Sequence, residues 1–460
     1  MAAADSCIDF RVDFITESVV KTVGLTPKPY ILTLSNFDLL SGRFPVTYFY
    51  FFRSPNQFHS SSHKITENLK ASLAQCLSLF YPFAGRIVAN PKTDEPEILC
   101  DNHGVLVVEA QANIHLKELE LLYNLNKYVE RGKLVPSRQD DFAVQIQITR
   151  YTCGGLSLTF TFDHALGDAS SFAKFLVTWT NKPPSCSPDH RRFLLRPRYN
   201  TSLDQTFVSC SLDDILNMRP LSSSTIMLKR LYYIDASSIQ KLQKLASEDG
   251  MSRKRTKIEA FSAYIWKVMV NAVDKSHNKC KMGWLVDGRT RIAGTGDNNH
   301  LVMSDYIGNV LSLTFGELTM DELKHGSISE IASHVHAAIS TATNAEHFLD
   351  LIDWIECHRP GLMLSKMVLG RDGPTAALVV SSGRRFPVGE LDFGFGSPVL
   401  GTVCSTIERI GVGYMNQRPS GRGDGSWTVS AILWPEMVAA LESHSECIFQ
   451  PITAHNLHLS

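Results

Sequence analysis

Long apolar runs are missing from this 460-residue chain, and none approaches the ~18 residues that a membrane-spanning helix needs. The first residues, MAAADSCIDF, place no basic segment ahead of an apolar one, so no secretory leader is expected. Neither sign of charge is in excess: 45 Lys and Arg face 46 Asp and Glu, for a formal net charge of −1. That balance argues against nucleic acid as the main partner. The ten cysteines form no CxxC pair. Several sit in apolar stretches, where a thiol behaves as a small hydrophobe, so reduced thiols and a cytoplasmic setting are expected. Internal repeats and low-complexity tracts are absent too, which excludes a solenoid. What remains is globular: 44% apolar and 20% charged residues, with length for at least two sizeable cores.

The clearest shift in composition is NKPPSCSPDHRRFLLRPRYN, residues 181–200, whose prolines interrupt periodic structure on both sides. It divides the chain into an expected N-terminal domain over 1–180, a linker over 181–222 and a C-terminal domain over 223–460. In the first half, Ile65, Leu69, Leu73, Leu77 and Phe80 mark one helix face, ended by Pro82 and Gly85. Two strictly alternating runs, FAVQIQIT (142–149) and LSLTFTF (156–162), flank Gly154 and Gly155 and predict a hairpin. In the second half TIMLKRLYYI and SWTVSAILW read as strands, and SSIQKLQKLASEDG as a helix. Strands and helices mixed in each half predict layered α/β architecture.

Three stretches carry candidate chemistry. TFTFDHALGDASSF (159–172) is a strand, a turn and the start of a helix, with His164, Gly167 and Asp168 at the turn. An imidazole held there can take a proton from an alcohol or amine, since it titrates near neutrality. The plainer alternative is a histidine in a local hydrogen bond beside a helix-capping aspartate. A metal site lacks a third ligand nearby, and a serine hydrolase lacks the GxSxG turn. SRKRTKIEAF (252–261) sets Arg253, Lys254 and Arg255 before a helix that Thr256 and Glu259 cap, with Ser252 leading the cluster. Such a helix start suits a phosphate, although a solvated basic surface has the same composition. Finally, DFGFG (392–396) flanks aromatic residues with Gly394 and Gly396. It lacks the companion motifs of a kinase and reads as a loop with unusual backbone angles.

Together these stretches resemble the plant BAHD acyltransferases, acyl-CoA-dependent enzymes with an HxxxD motif and a DFGWG motif, one in each half. HALGD and DFGFG match them in order, with further similarity in YPFAGR (81–86), AYIWK (263–267), VDGR (286–289) and YIGNV (306–310). The resemblance implies two chloramphenicol-acetyltransferase-like domains of mixed sheet plus helices, joined by a long crossover loop, with a channel between them. It implies acyl transfer from acyl-CoA, a cosubstrate rather than a resident cofactor, to the hydroxyl or amine of a small molecule. No metal, nucleic acid or membrane takes part, and a monomer is expected. His164 becomes the general base, and Asp168 an anchor for the turn, paired with Arg289 and accompanied by Gly167. Asp392, Gly394 and Gly396 support the domain interface. Ser252, Arg253, Lys254, Arg255 and Thr256 fall where the coenzyme's phosphates are expected.

The chain departs from the pattern at two places: Phe395 stands where the DFGWG motif has tryptophan, and a second departure precedes that segment. Members that transfer hydroxycinnamoyl groups to shikimate-like acceptors carry Thr-Ser-Trp before the DFGWG segment, whereas this chain has Ser381, Ser382 and Gly383. That leaves Ser381 and Ser382 as candidate oxyanion donors. SSGRRFPV and LTLSNFDLL are most similar to the branch holding coniferyl-alcohol acyltransferases and coumarin synthase. Three activities stay open: transfer of an aromatic or short acyl group to a plant metabolite, coumarin-type lactone closure, and acyl-CoA binding without turnover.

Overall fold

The computed structural model describes residues 10–24, 28–54, 62–119, 128, 132–137, 139–180, 187–199, 206–211, 213–214, 227–248, 254–273, 278–292, 303–368, 376–405, 412–443, 447–457 and 459. Two large sheets dominate. The first has six strands, in the order Val12–Val20, Val105–Ala112, Val144–Tyr151, Leu156–Asp163, Pro45–Phe52 and Leu400–Ser405. The second has seven, in the order Leu311–Thr319, Lys279–Asp287, Ala376–Ser382, Gly413–Pro419, Trp427–Leu433, Leu228–Ile234 and Gln450–Pro451. Both are mixed: Val105–Ala112 runs parallel to Val144–Tyr151, and Ala376–Ser382 runs parallel to both of its neighbours. Among the described residues, no helix is long and apolar enough to cross a membrane.

The hairpin forms, with Ile146 opposite Phe160 and Ile148 opposite Leu158. Its apolar face packs with the helices Ser62–Leu79 and Ala169–Thr180 around Leu73, Leu77, Phe172 and Phe175. Its polar face is buried as well, which alternation alone does not foretell. Gln147 donates to the Lys133 carbonyl at 3.0 Å and Gln145 to that of Gln139 at 3.0 Å, so a covering loop satisfies the amides. In the second half, helices Ala236–Leu245, Lys257–Met269, Ile328–Thr341 and Pro435–Ser443 cover one sheet face around Trp266, Ile265 and Leu378.

The two halves are exchanged at their margins, so the chain-order division into 1–180 and 223–460 does not coincide with the sheets. Leu400–Ser405, from the second half, pairs antiparallel with Pro45–Phe52 and completes the first sheet. Reciprocally, the short helix Asn36–Ser41 packs on Ala345–His358 in the second half. There Asn36 donates to the Ile352 carbonyl at 2.8 Å and Phe37 meets Phe348 edge-on at 5.9 Å. Local periodicity identifies a strand but not the sheet it joins.

Candidate active site

The strand Leu156–Asp163 delivers His164 into a short turn, and Ala169–Thr180 begins immediately after it. The turn is held from both sides. The His164 backbone N–H donates to the Phe44 carbonyl at 3.0 Å, and the imidazole stacks on the Phe44 ring at 4.6 Å. The His164 carbonyl accepts from Asn309 Nδ2 at 2.9 Å. Nδ1 is buried with only the residue's own backbone beside it. That favours hydrogen on Nδ1 and leaves the Nε2 lone pair for the cleft that the ring lines. Burial lowers the imidazole's pKa below its ordinary value, although Asp168, Asp163 and Asp38 pull it upward. The ring is therefore neutral at neutral pH and able to accept a proton.

Asp168 faces away from that chemistry. Its Oδ2 lies 2.8 Å from Arg289 Nη1 and its Oδ1 3.0 Å from Nη2, a buried bidentate pair. The same carboxylate accepts the backbone N–H of Ser171 at 3.1 Å and of Val310 at 3.1 Å. Burial alone would raise its pKa, but Arg289 and those N–H groups outweigh burial and keep it ionised. Arg289 Nη2 also donates to the Gly308 carbonyl at 2.7 Å, tying YIGNV to the turn. Gly167 is closely overlaid: a Cβ there would lie 2.7 Å from that of Ser171.

A second buried pair escapes sequence reasoning. Asp38, fully buried, lies 2.8 Å from Arg192, which in turn donates to the Leu166 carbonyl at 3.0 Å. Asp38 also accepts both the backbone and the side-chain N–H of Asn309, at 2.7 and 2.8 Å. Asp38, Arg192 and Asn309 thus brace the His164 turn from three distant segments. Their only signal is that Asp38 and Asn309 fall inside LTLSNFDLL and YIGNV.

His164 and Asp168 line a cleft of about 600 Å³ between the sheets, walled on one side by Phe44, Tyr48 and Phe162 and on the other by Trp284 and Leu313. Ser381, Ser382 and Gly383 line it too. Ser381 Oγ is 2.7 Å from the Tyr414 hydroxyl, and Ser382 Oγ accepts from Gln417 Nε2 at 2.8 Å.

Asp392, Gly394 and Gly396 do not line the cleft. Asp392 accepts the backbone N–H of Gly394 at 2.8 Å and of Gly396 at 2.9 Å, and both glycines have left-handed φ, 92° and 95°. The loop so formed presses Phe393 against Trp179 at 4.9 Å and Phe395 against Phe52 at 4.9 Å, binding the second half to the first core. Of the basic cluster, Ser252 and Arg253 lie outside the described residues. Lys254 is exposed. Arg255 is buried and donates to Ser333 at 2.7 Å, so it braces the helix start instead of joining an exposed patch. Thr256 caps Lys257–Met269 in a full capping box with Glu259, and Ile258 of that first turn borders the cleft.

The sequence profile of the Transferase family matches residues 10–448. Anthranilate N-benzoyltransferase protein 1 of Dianthus caryophyllus is 29% identical over 392 residues, 81% of this chain and 84% of its own. Shikimate O-hydroxycinnamoyltransferase of Nicotiana tabacum is 25% identical over 452 residues, 94% of this chain and 98% of its own. Among solved structures, vinorine synthase superposes with a TM-score of 0.68 at 21% identity, covering 96% of this chain and 99% of its own. TRI101 of F. graminearum, solved with ethyl coenzyme A, superposes with a TM-score of 0.65 at 15% identity, covering 92% of this chain and 99% of its own.

Proposed function

The chain belongs to the Transferase family, the BAHD acyl-CoA-dependent acyltransferases, and from that membership we propose that it moves an aromatic acyl group from coenzyme A to the hydroxyl of a plant specialised metabolite, with His164 as general base. The observation that carries this reading is a buried imidazole, braced through its backbone and stacked on Phe44, at the wall of a cleft lined by both sheets. The aromatic walls suit a planar acyl group, and the relatives act on benzoyl and hydroxycinnamoyl groups by name.

In the proposed step, Nε2 of His164 takes the acceptor's hydroxyl proton as the oxygen bonds to the thioester carbon. The carbonyl electron pair moves onto oxygen, where the hydroxyl of Ser381 or Ser382, both lining the same cleft, is the candidate donor. When the C–S bond breaks, the thiolate takes the proton back from Nε2, and ester and free coenzyme A leave. Asp168 and Arg289 hold the turn and transfer no proton. Lys254 and the Thr256 helix start are assigned to the coenzyme's phosphates. The enzyme acts as a monomer in the cytoplasm, without a metal.

The test is a mass-spectrometric screen of the purified protein with aromatic acyl-CoAs, with and without a panel of alcohols. Ester formation that His164→Ala lowers by about 10²–10⁴-fold is the expected result. Release of coenzyme A from an ortho-hydroxycinnamoyl-CoA without any acceptor would instead assign lactone closure. Binding of acyl-CoA with no turnover under any condition would remove the enzymatic reading.

A further inference from the structure

Ser382 ends the strand Ala376–Ser382 with its side chain exposed in the cleft, whereas Ser381 before it is buried. Neighbours along a strand face opposite ways, and the two hydroxyls accordingly meet different partners. Ser381 Oγ accepts from Asn416 Nδ2 and shares a hydrogen with the Tyr414 hydroxyl at 2.7 Å, inside a polar cluster on its own face of the sheet. Ser382 Oγ accepts twice: from Gln417 Nε2 at 2.8 Å and, at a longer 3.4 Å, from the Arg384 backbone N–H. A hydroxyl has two lone pairs and one hydrogen. Both lone pairs of Ser382 are therefore engaged, and among the described residues its hydrogen meets no acceptor. What Ser382 offers the cleft is a donor.

Gln417 sets the direction of that donor. It stands opposite Ser382 in the register of Ala376–Ser382 with Gly413–Pro419, and it is buried. Its backbone carbonyl accepts the Gly383 N–H at 2.7 Å, so one residue grips the strand end through both its backbone and its amide. Gly383 permits this approach: a Cβ there would lie 2.7 Å from the same carbonyl oxygen. The segment that follows is tied to the His164 side of the cleft. Arg385 Nη1 lies 2.8 Å from Asp287 Oδ2, which also accepts from Ser170 Oγ at 3.0 Å, two residues beyond Asp168. Phe386 meets Tyr48 edge-on at 4.8 Å, and Tyr48 meets Phe162, two residues before His164, at 5.3 Å.

We propose that Ser382 donates its hydroxyl hydrogen to the carbonyl oxygen of the bound acyl thioester, and that Gln417 is the positioning residue that aims it. The inference rests on the cleft being the acyl-CoA site, and it chooses between the two serines. As the acceptor oxygen bonds to the thioester carbon, the carbonyl pair moves onto oxygen and the Ser382 hydrogen bond strengthens without the proton being transferred. The pair returns when the C–S bond breaks. A hydroxyl with both lone pairs already filled needs no reorientation at that moment, because the donor is fixed before the charge develops.

Infrared difference spectroscopy reads the hydrogen bond without turnover, using benzoyl-CoA isotopically labelled at the carbonyl carbon against the unlabelled compound. The bound carbonyl band is expected at lower frequency in the wild type than in Ser382→Ala. Ser382→Thr, which keeps the hydroxyl, restores the low-frequency band, and Gln417→Met moves it part of the way up and broadens it. Calorimetric affinity for benzoyl-CoA changes by no more than about 10-fold in any variant, the range of one neutral hydrogen bond. Circular dichroism checks each fold. Identical bands in the wild type and Ser382→Ala, or a band that moves in Ser381→Ala instead, overturn the proposal, and an unmoved band in Gln417→Met overturns the role of Gln417. Benzoyl-CoA that fails to bind at all would count against the cleft as the acyl-CoA site and take this inference with it, whereas a bound thioester with an unmoved carbonyl removes the inference alone.

Discussion

At the scale of single residues, the cleft is defined by which charges are compensated. His164 is buried enough to stay neutral, and the carboxylates near it only moderate that effect. Its folded pKa is therefore below the ordinary histidine value. If His164 is the base, as proposed, it is already competent at pH 7, so kcat/KM is expected to fall only on an acid limb below about 6.5. A pH profile whose acid limb sits at or above 7 would contradict the burial argument. The stability sign agrees: with the folded value below the unfolded one, the unfolded chain binds more protons as pH drops, so stability declines below that value. Asp168 titrates in the same direction from lower down, since Arg289 and two N–H groups keep its folded pKa below the unfolded one. Its contribution is complete above the unfolded carboxylate value and is lost as pH falls through the folded one. Asp168→Asn leaves the buried Arg289 only Asp287, at 3.3 Å, as a charge partner among the described residues, so the loss is expected to stay below the about 3–5 kcal/mol that breaking an isolated buried pair costs. Chemical denaturation should register that loss, and an unchanged midpoint would show the pair to be dispensable.

At the scale of elements, the His164 turn is a product of segments far apart in the chain. Asn309 joins Asp38 to the His164 carbonyl, so Asn309→Ala removes one side-chain amide that donates both to a buried carboxylate and to the His164 turn. The backbone donor to Asp38 survives, so about 1–3 kcal/mol of stability is expected to go. Turnover should fall with it while affinity for coenzyme A holds, as steady-state kinetics beside calorimetry would reveal; a parallel loss of coenzyme affinity would mean the loop serves the donor site instead. This dependence explains what was legible beforehand. The hairpin, the helix behind Asp168 and the Thr256 cap rest on contacts within a few residues, and the alternation of FAVQIQIT or the spacing of Thr256 and Glu259 displays them directly. Asp38 and Arg192 are written in no local pattern, because each is defined by a partner over a hundred residues away. Arg255 is hidden in another way: in sequence it is one of a basic run, whereas in the fold it turns inward to Ser333.

At the scale of the molecule, the exchanged margins make the halves one folding unit. Leu400–Ser405 covers the edge of Pro45–Phe52, a strand holding Phe49, Phe51 and Phe52 with no exposure at all. DFGFG adds Phe393 and Phe395 to the same core, and Arg359 in the second half pairs with Glu95 in the first at 2.8 Å. A fragment ending at residue 222 would therefore present an unpaired, aromatic strand edge and a core lacking Phe386, Leu391 and Phe395. It is expected to aggregate or to stay partly unfolded, whereas the full chain melts in one transition. Size-exclusion chromatography and circular dichroism of the fragment decide this. A monomeric fragment with its own cooperative melt would show that the first sheet does not need its borrowed strand. The same exchange ties the cleft together: its walls come from both sheets, and the first sheet takes one of its strands from the second half. The proposed base on one wall is thereby held against a second wall that belongs to the other sheet.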